Sequence, residues 1–163
     1  MGSVRQQKDL GTLAAAAVKL DLPVTVVGVD EGSLGPLIKA SAGHLSVEPP
    51  IPYKDVPDRL ARFRVLVLPL SPGLFGEKLT SPIKLWDYMA SGVPIVAADL
   101  PSLAVAAPGA FVPYVPSDAA SLAKAISLLY VDESLRQQVR DKMFVRTWSQ
   151  RAAEMEEFLD VAP

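Results

Sequence analysis

The stretch from Ser71 to Gly92 concentrates the residues whose types and spacing suit ligand chemistry. It opens where an apolar run ends at Leu70, passes through a loop carrying Gly73 and Gly76, and continues into a predicted helix over residues 82–91. Ser81 suits the N-cap, Pro82 the first helical position, where its missing N–H costs nothing, and Gly92 the helix end. Within the helix the polar Lys84, Asp87 and Ser91 fall at i, i+3 and i+7, among Ile83, Leu85, Trp86, Met89 and Ala90. A lysine in the first turn opposes the helix dipole at a cost of about 0.3–1 kcal/mol, a placement that makes sense where an anion binds the helix tip. Asp87 lies about 4.5 Å further along the axis, so an anionic group and a hydroxyl-bearing sugar beside it can be parts of one ligand. A nucleoside diphosphate has both. The same spacing also fits a solvated i,i+3 pair behind a simple cap, and the residues alone leave both readings open.

The elements that must position this stretch are legible in the apolar pattern. Short continuous apolar runs at residues 23–28, 45–47, 65–70, 94–98 and 110–114 suit strands buried on both faces. Helix candidates lie between and around them, near residues 6–20, 34–42, 55–62, 82–91, 101–107 and 118–129. Alternation at this spacing implies parallel βαβ units, an α/β fold with a Rossmann-like doubly wound parallel sheet. Residues 132–159 carry no strand signal and read as a helical segment packed outside, so residues 1–163 form one domain. Prolines such as Pro23, Pro69, Pro82, Pro94 and Pro116 punctuate the elements and form no linker. Ligands of such sheets bind outside the carboxyl ends of the strands, where the loop after Leu70 lies.

A doubly wound sheet ordinarily opens with a strand that ends up central in the order 3-2-1-4-5-6, yet here a helix comes first. The sheet is therefore expected to lack its first strand. Its remaining strands must leave a central gap, close up, or receive a strand from another chain, and an open edge invites self-association. Closing up would displace the region near Lys8 from Ser81.

Composition removes other classes of function. The chain has 163 residues, 50% hydrophobic and 21% charged, enough for one sizeable core. With 16 basic and 18 acidic side chains it carries a formal charge of −2, no footprint for a nucleic acid. There is no cysteine and one histidine, His44, so disulfides, thiolate nucleophiles and Cys/His metal sites are excluded and no metal is expected. No apolar run approaches a membrane span and no signal-peptide layout stands at the N-terminus, which fits a cytoplasmic protein. The paired acids after a first strand that a phosphoacceptor domain needs are missing. His44 and the Asp30-Glu31-Gly32 turn after Gly28 are read as structural, Asp99 as an N-cap, and Arg136, Arg140 and Arg146 as a solvated helix face.

Thr80 through Pro101 resembles the serine-proline-x-lysine, acidic-tyrosine-methionine-alanine, glycine-x-proline run of the glycosyl transferases group 1 family, in the C-terminal nucleotide-sugar-binding domain of its GT-B fold. The resemblance extends through Gly2 to Lys8 at one end and Thr147-Trp148-Ser149 at the other, nearly the whole chain. It implies that Asp87 holds the donor ribose, that Ser81, Pro82, Lys84 and Gly76 meet the diphosphate, and that Lys8 is the phosphate-binding lysine. Phe75-Gly76 resembles the family's donor loop, and Tyr53 follows the strand run where the family meets the base. Two positions depart from the pattern. Leu79 stands where many members place a first acid, which leaves contact with the donor sugar to Glu77; Ser3 stands where an arginine is common, with Arg5 its nearest substitute.

The implied activity is retaining sugar transfer from a nucleoside diphosphate sugar, polysaccharide biosynthesis being a typical setting, with no cofactor required and no residue assignable as catalytic. The N-terminal acceptor domain is expected to be absent, leaving this half inactive alone; in a complete enzyme, contact with the inner membrane face is possible. A non-catalytic nucleotide-binding or assembly module of the same fold is the alternative, which Leu79 and Ser3 favour.

Overall fold

Five short parallel strands and eight helices alternate along the chain in a computed structural model that describes residues 8–20, 22–74, 77, 83–144 and 147–161. The strands are β1 (Val24–Val27), β2 (Leu45–Glu48), β3 (Leu66–Leu68), β4 (Ile95–Ala98) and β5 (Val112–Tyr114). Each falls inside or against one of the apolar runs, and β4 is buried at all four positions, as a strand covered on both faces must be. The helices are α1 (Leu10–Leu20), α2 (Glu31–Ala40), α3 (Val56–Ala61), α4 (Ile83–Ser91), α5 (Pro101–Ala106), α6 (Ala119–Val131), α7 (Glu133–Asp141) and α8 (Trp148–Val161). A single 3₁₀ turn, Tyr53–Asp55, precedes α3.

Every ladder is parallel, but the strands form two sheets. β1 pairs with β2, and β3, β4 and β5 pair in that order. A cavity of about 260 Å³ runs between the facing edges of β1 and β3 and is lined by every residue of both. The described strands thus run β2-β1 and β3-β4-β5, and the cavity separates β1 from β3, with no described strand between them.

Helices hold the two halves together across it. Leu10 and Leu13 of α1 and Ile126 and Tyr130 of α6 line one side of the gap, Leu60 of α3 and Tyr88 of α4 the other. α1 packs on α6, and its Ala14, Ala16 and Ala17 are buried. One continuous apolar core includes Val26 from the first sheet and Leu66, Ile95 and Val96 from the second.

Several local expectations need correction. α2 begins earlier than its pattern indicates, at Glu31; Gly32, Gly35 and an internal Pro36 weaken its helical signal, and burial of Leu34 overrides that propensity. Asp99 does not cap α5, whose N-cap position is Leu100. The segment 132–159 is two helices, α7 and α8. Arg136 is not on a solvated face: it is 4% exposed. Its guanidinium donates to the carbonyls of Leu129 (3.0 Å) and Tyr130 at the end of α6, and it pairs with Glu133. The helix dipole favours a cation at those carbonyls, so buried charge is expected here once the α6–α7 corner exists. Arg136 and Arg140 hold the Glu133 carboxyl below its ordinary range by hydrogen bonds. Arg136→Ala should destabilise the domain by about 1–3 kcal/mol, since the buried Leu129 carbonyl loses its Arg136 donor while that of Tyr130 keeps Arg64, with Arg136→Lys recovering only part; urea denaturation of the three proteins checks this.

Candidate functional site

The site is built where α1 and α4 begin, above the carboxyl ends of β1 and β3. At α1, the N–H of Asp9 donates to the carbonyl of Pro69 (3.0 Å), and Lys8 forms an antiparallel bridge with Leu70, fixing the helix start against the end of β3. The Asp9 carboxylate accepts from the N–H of Thr12 (3.1 Å) within the first turn of α1 and from the Ser117 hydroxyl (2.9 Å) in the loop after β5. That capping satisfies an otherwise orphaned helix donor and ties two loops together. Beside it the Tyr114 hydroxyl is buried and has no hydrogen-bond partner among the described residues; burial, and then the Asp9 charge, push its pKa far up.

At α4, Leu85, Tyr88 and Met89 are the buried face, an i, i+3, i+4 set, and Trp86 packs edge-on against Phe144 with ring centroids 5.7 Å apart. This fixes the rotation of the helix and with it the direction of Lys84. Lys84 is half-buried and lines the cavity together with Lys8 and Tyr88. Two cations that are distant in sequence therefore line one cavity. Asp87 is half-buried on the same helix but does not line the cavity. Among the described residues Lys84 and Asp87 form no ion pair with each other, so the simple i,i+3 bridge is not what holds them. Ser91 leaves the proposed polar stripe: its hydroxyl donates to the carbonyl of Tyr88 (2.6 Å) and accepts from the N–H of Val93, and Gly92, at φ +68°, ends the helix as expected.

The other sequence-predicted residues are dispersed. Glu77 is half-buried, and its carboxylate accepts from the N–H of Gly73 (3.2 Å), closing the loop after β3. Tyr53 is 82% exposed on the 3₁₀ turn and does not line the cavity. Nearby, Glu48 at the end of β2 accepts both hydrogen bonds of the Arg59 guanidinium (Nε at 2.8 Å), which lower its pKa, and Arg59 lies 4.1 Å from the centre of the Phe63 ring. Arg5, Gly76, Ser81 and Pro82 lie outside the described residues. No group of three or more His, Asp or Glu among the described residues is placed to hold a metal, and no helix among them is long and apolar enough to cross a membrane.

Sequence reasoning missed Tyr88 as a site residue, although its place one turn after Lys84 was the available signal. Its pKa is pushed up to about 12 by burial and then by the Asp87 charge. The hydroxyl therefore ionises only well above its ordinary range. A raised folded pKa adds stability below the ordinary value of 10, which is lost as pH climbs toward about 12. Thermal unfolding of wild type should weaken over that window, with a shallower slope in Tyr88→Phe; identical slopes contradict the burial effect.

Solved structures of known proteins share this fold. Sucrose-phosphate synthase from Thermosynechococcus elongatus superposes with a TM-score of 0.73 at 19% identity, over 96% of this chain and 42% of that one. HepE from Anabaena, solved in complex with UDP and glucose, gives 0.72 at 17% identity, over 97% of this chain and 47% of that one. The C-terminal domain of a glycosyl transferase group 1 family protein, LpcC, from Francisella tularensis gives 0.67 at 15% identity, over 95% and 83%. The chain thus spans less than half of the first of these relatives. No curated protein matches it. The family model described as glycosyl transferases group 1 matches residues 1–132, and the chain belongs to that family.

Proposed function

We propose that this domain binds the nucleoside diphosphate part of a sugar donor, as the donor half of a retaining glycosyltransferase whose acceptor is held by a further domain. The observation that carries the reading is that Lys8, just before α1, and Lys84, in the first turn of α4, line one cavity. Two cations and a helix N-terminus neutralise a diphosphate, and the same charges stabilise it as it departs from the sugar. HepE, of the same fold, is solved with UDP-glucose, which supports a nucleotide sugar as the ligand class.

In this reading Lys8, Lys84 and Arg5, with the Gly76 and Ser81-Pro82 backbone, hold the diphosphate. The protonated Tyr88 hydroxyl adds a donor, Asp87 accepts from the ribose hydroxyls, Tyr53 lies toward the base and Glu77 toward the donor sugar. In this reading the anchored start of α1 and the buried face of α4 position Lys8 and Lys84 before ligand arrives. This lowers the ordering cost of binding. The domain by itself is expected to bind nucleotide and transfer no sugar.

Titration calorimetry with UDP, GDP and ADP tests the reading. One nucleotide should bind saturably, Lys84→Ala should weaken it by about 1–3 kcal/mol, the scale of a charge-assisted hydrogen bond, and Asp87→Asn by less, since the amide keeps an acceptor. Equal affinity in wild type and both variants overturns the placement.

A further inference from the structure

A second cavity, of about 280 Å³, lies at the amino ends of β3 and β4. Its walls are Arg64, just before β3, the segment Gly92 to Pro94 that leads into β4, and the face of α7 that carries Glu133, Arg136 and Arg140. Three guanidiniums therefore meet a single carboxylate, a formal excess of two positive charges. The hydrogen bonds draw these cations together. Arg64 Nε (2.9 Å) and Arg136 Nη1 (2.5 Å) donate to the same Tyr130 carbonyl, and Arg136 and Arg140 share the Glu133 carboxylate, Arg140 at 3.1 Å. The carbonyl end of α6 offsets only about half a charge. Arg136 is 4% exposed and spends Nε and both Nη groups on Glu133 and the α6 carbonyls. The other two do not. Arg64 uses Nε alone and lies with its guanidinium 4.7 Å from the centre of the Tyr130 ring, a contact that occupies its face and leaves its edge free. Arg140 uses Nη1 alone. Among the described residues Arg64 has no carboxylate partner.

We propose that this cavity is an anion site that takes a phosphate group between the unused N–H groups of Arg64 and Arg140, with the buried Arg136 adding its charge. The chemistry selects the ligand. A guanidinium presents its donors as a planar fork that matches phosphate oxygens two at a time, so two forks on one cavity suit a compact dianion with several acceptors. A carboxylate has one charge and two oxygens, enough for a single fork, and leaves part of the excess charge unbalanced. Glu133 is the one acid in the lining, and its hydrogen bonds with Arg136 and Arg140 already neutralise it. Arg136 is fixed by its own bonds before ligand arrives, which places the field of one cation at no further ordering cost. The inference does not rest on the nucleotide reading, since Lys8 and Lys84 line the other cavity. Arg64 lines both cavities, standing with Tyr130 at the amino mouth of the first. A phosphate held here joins the segment before β3 to α7, two elements whose described polar link is the shared Tyr130 carbonyl. Inorganic phosphate and a small phosphate monoester present the same group, and affinity distinguishes them.

The test is an NMR titration of the isotope-labelled intact chain with inorganic phosphate, with glycerol 3-phosphate and with chloride, all at one ionic strength. The Nε–H signals of Arg64 and Arg140 and the amides of Gly92 and Val93 should shift saturably with the two phosphates and not with chloride. Whichever phosphate binds more tightly names the source, and either result supports the site. Arg140→Gln and Arg64→Gln should each weaken binding about tenfold, the size of one charge-assisted hydrogen bond, and the double variant should abolish it. Arg140→Gln takes one of two partners from an exposed carboxylate that keeps Arg136, so its fold should hold. Should Arg64→Gln fail to fold, the wild-type mapping and Arg140→Gln still decide. An equal response to chloride means screening only and overturns the proposal. So does phosphate binding that shifts Lys8 and Lys84 while Arg64 and Arg140 stay unmoved, which leaves the nucleotide reading standing, and so does unchanged affinity in Arg140→Gln.

Discussion

Helix α1 is the part on which the rest of the structure depends, because no described backbone ladder joins the two sheets. Its start is fixed to the end of β3 through the Asp9 N–H and to the loop after β5 through the Asp9 carboxylate, it packs on α6, and it precedes β1. A sheet normally transmits position from strand to strand by hydrogen bonds at about 4.8 Å spacing. Here packing of α1 on α6, and of α3 on α4, does that work across the gap. Nondirectional burial tolerates displacement better than a ladder does, so the relation between the β1–β2 pair and the rest rests on side-chain shape.

The same helix couples fold to site. Lys8 stands one residue before Asp9, so the interactions that anchor α1 also place that lysine in the cavity lining it shares with Lys84 and Tyr88. On the other side, the buried set Leu85, Tyr88 and Met89 sets the rotation of α4. Lys8 thus sits on the bridge to Leu70 just before α1, and Lys84 in the first turn of α4, the helix that follows β3. This geometry does not require the gap to be filled, whereas anything reaching toward β2 and Tyr53 does depend on how the two halves are spaced.

Much of the fold was legible in the sequence because parallel strands covered on both faces leave unbroken apolar runs, and all five runs became strands. The helix after β3 was legible from its composition and from Gly92, whose positive φ is what such a terminus needs. Two kinds of information were not legible. One was tertiary rescue of poor local signals: α2 forms despite two glycines and an internal proline because Leu34 packs into the core. The other was what polar side chains do once packed. Arg136 reads as one of a series of surface arginines and instead caps α6 from within, while Ser91 completes a polar stripe on paper and bonds its own helix in the fold. Of the proposed site, Lys8 and Lys84 both line the cavity. Tyr88 was passed over because a tyrosine at a buried helical position reads as core, and its place in the cavity lining shows only in the fold.

The central claim is that the starts of α1 and α4 form one nucleoside diphosphate site. Chemical-shift mapping of the isotope-labelled chain on addition of UDP, GDP or ADP tests it most directly. The account predicts that the largest changes fall together on Lys8 to Leu10 and on Ile83 to Asp87, saturating with a single affinity. Changes confined to the surface around Tyr53, or to the amino mouth at Arg64 and Tyr130, with α1 and α4 unmoved, would contradict it.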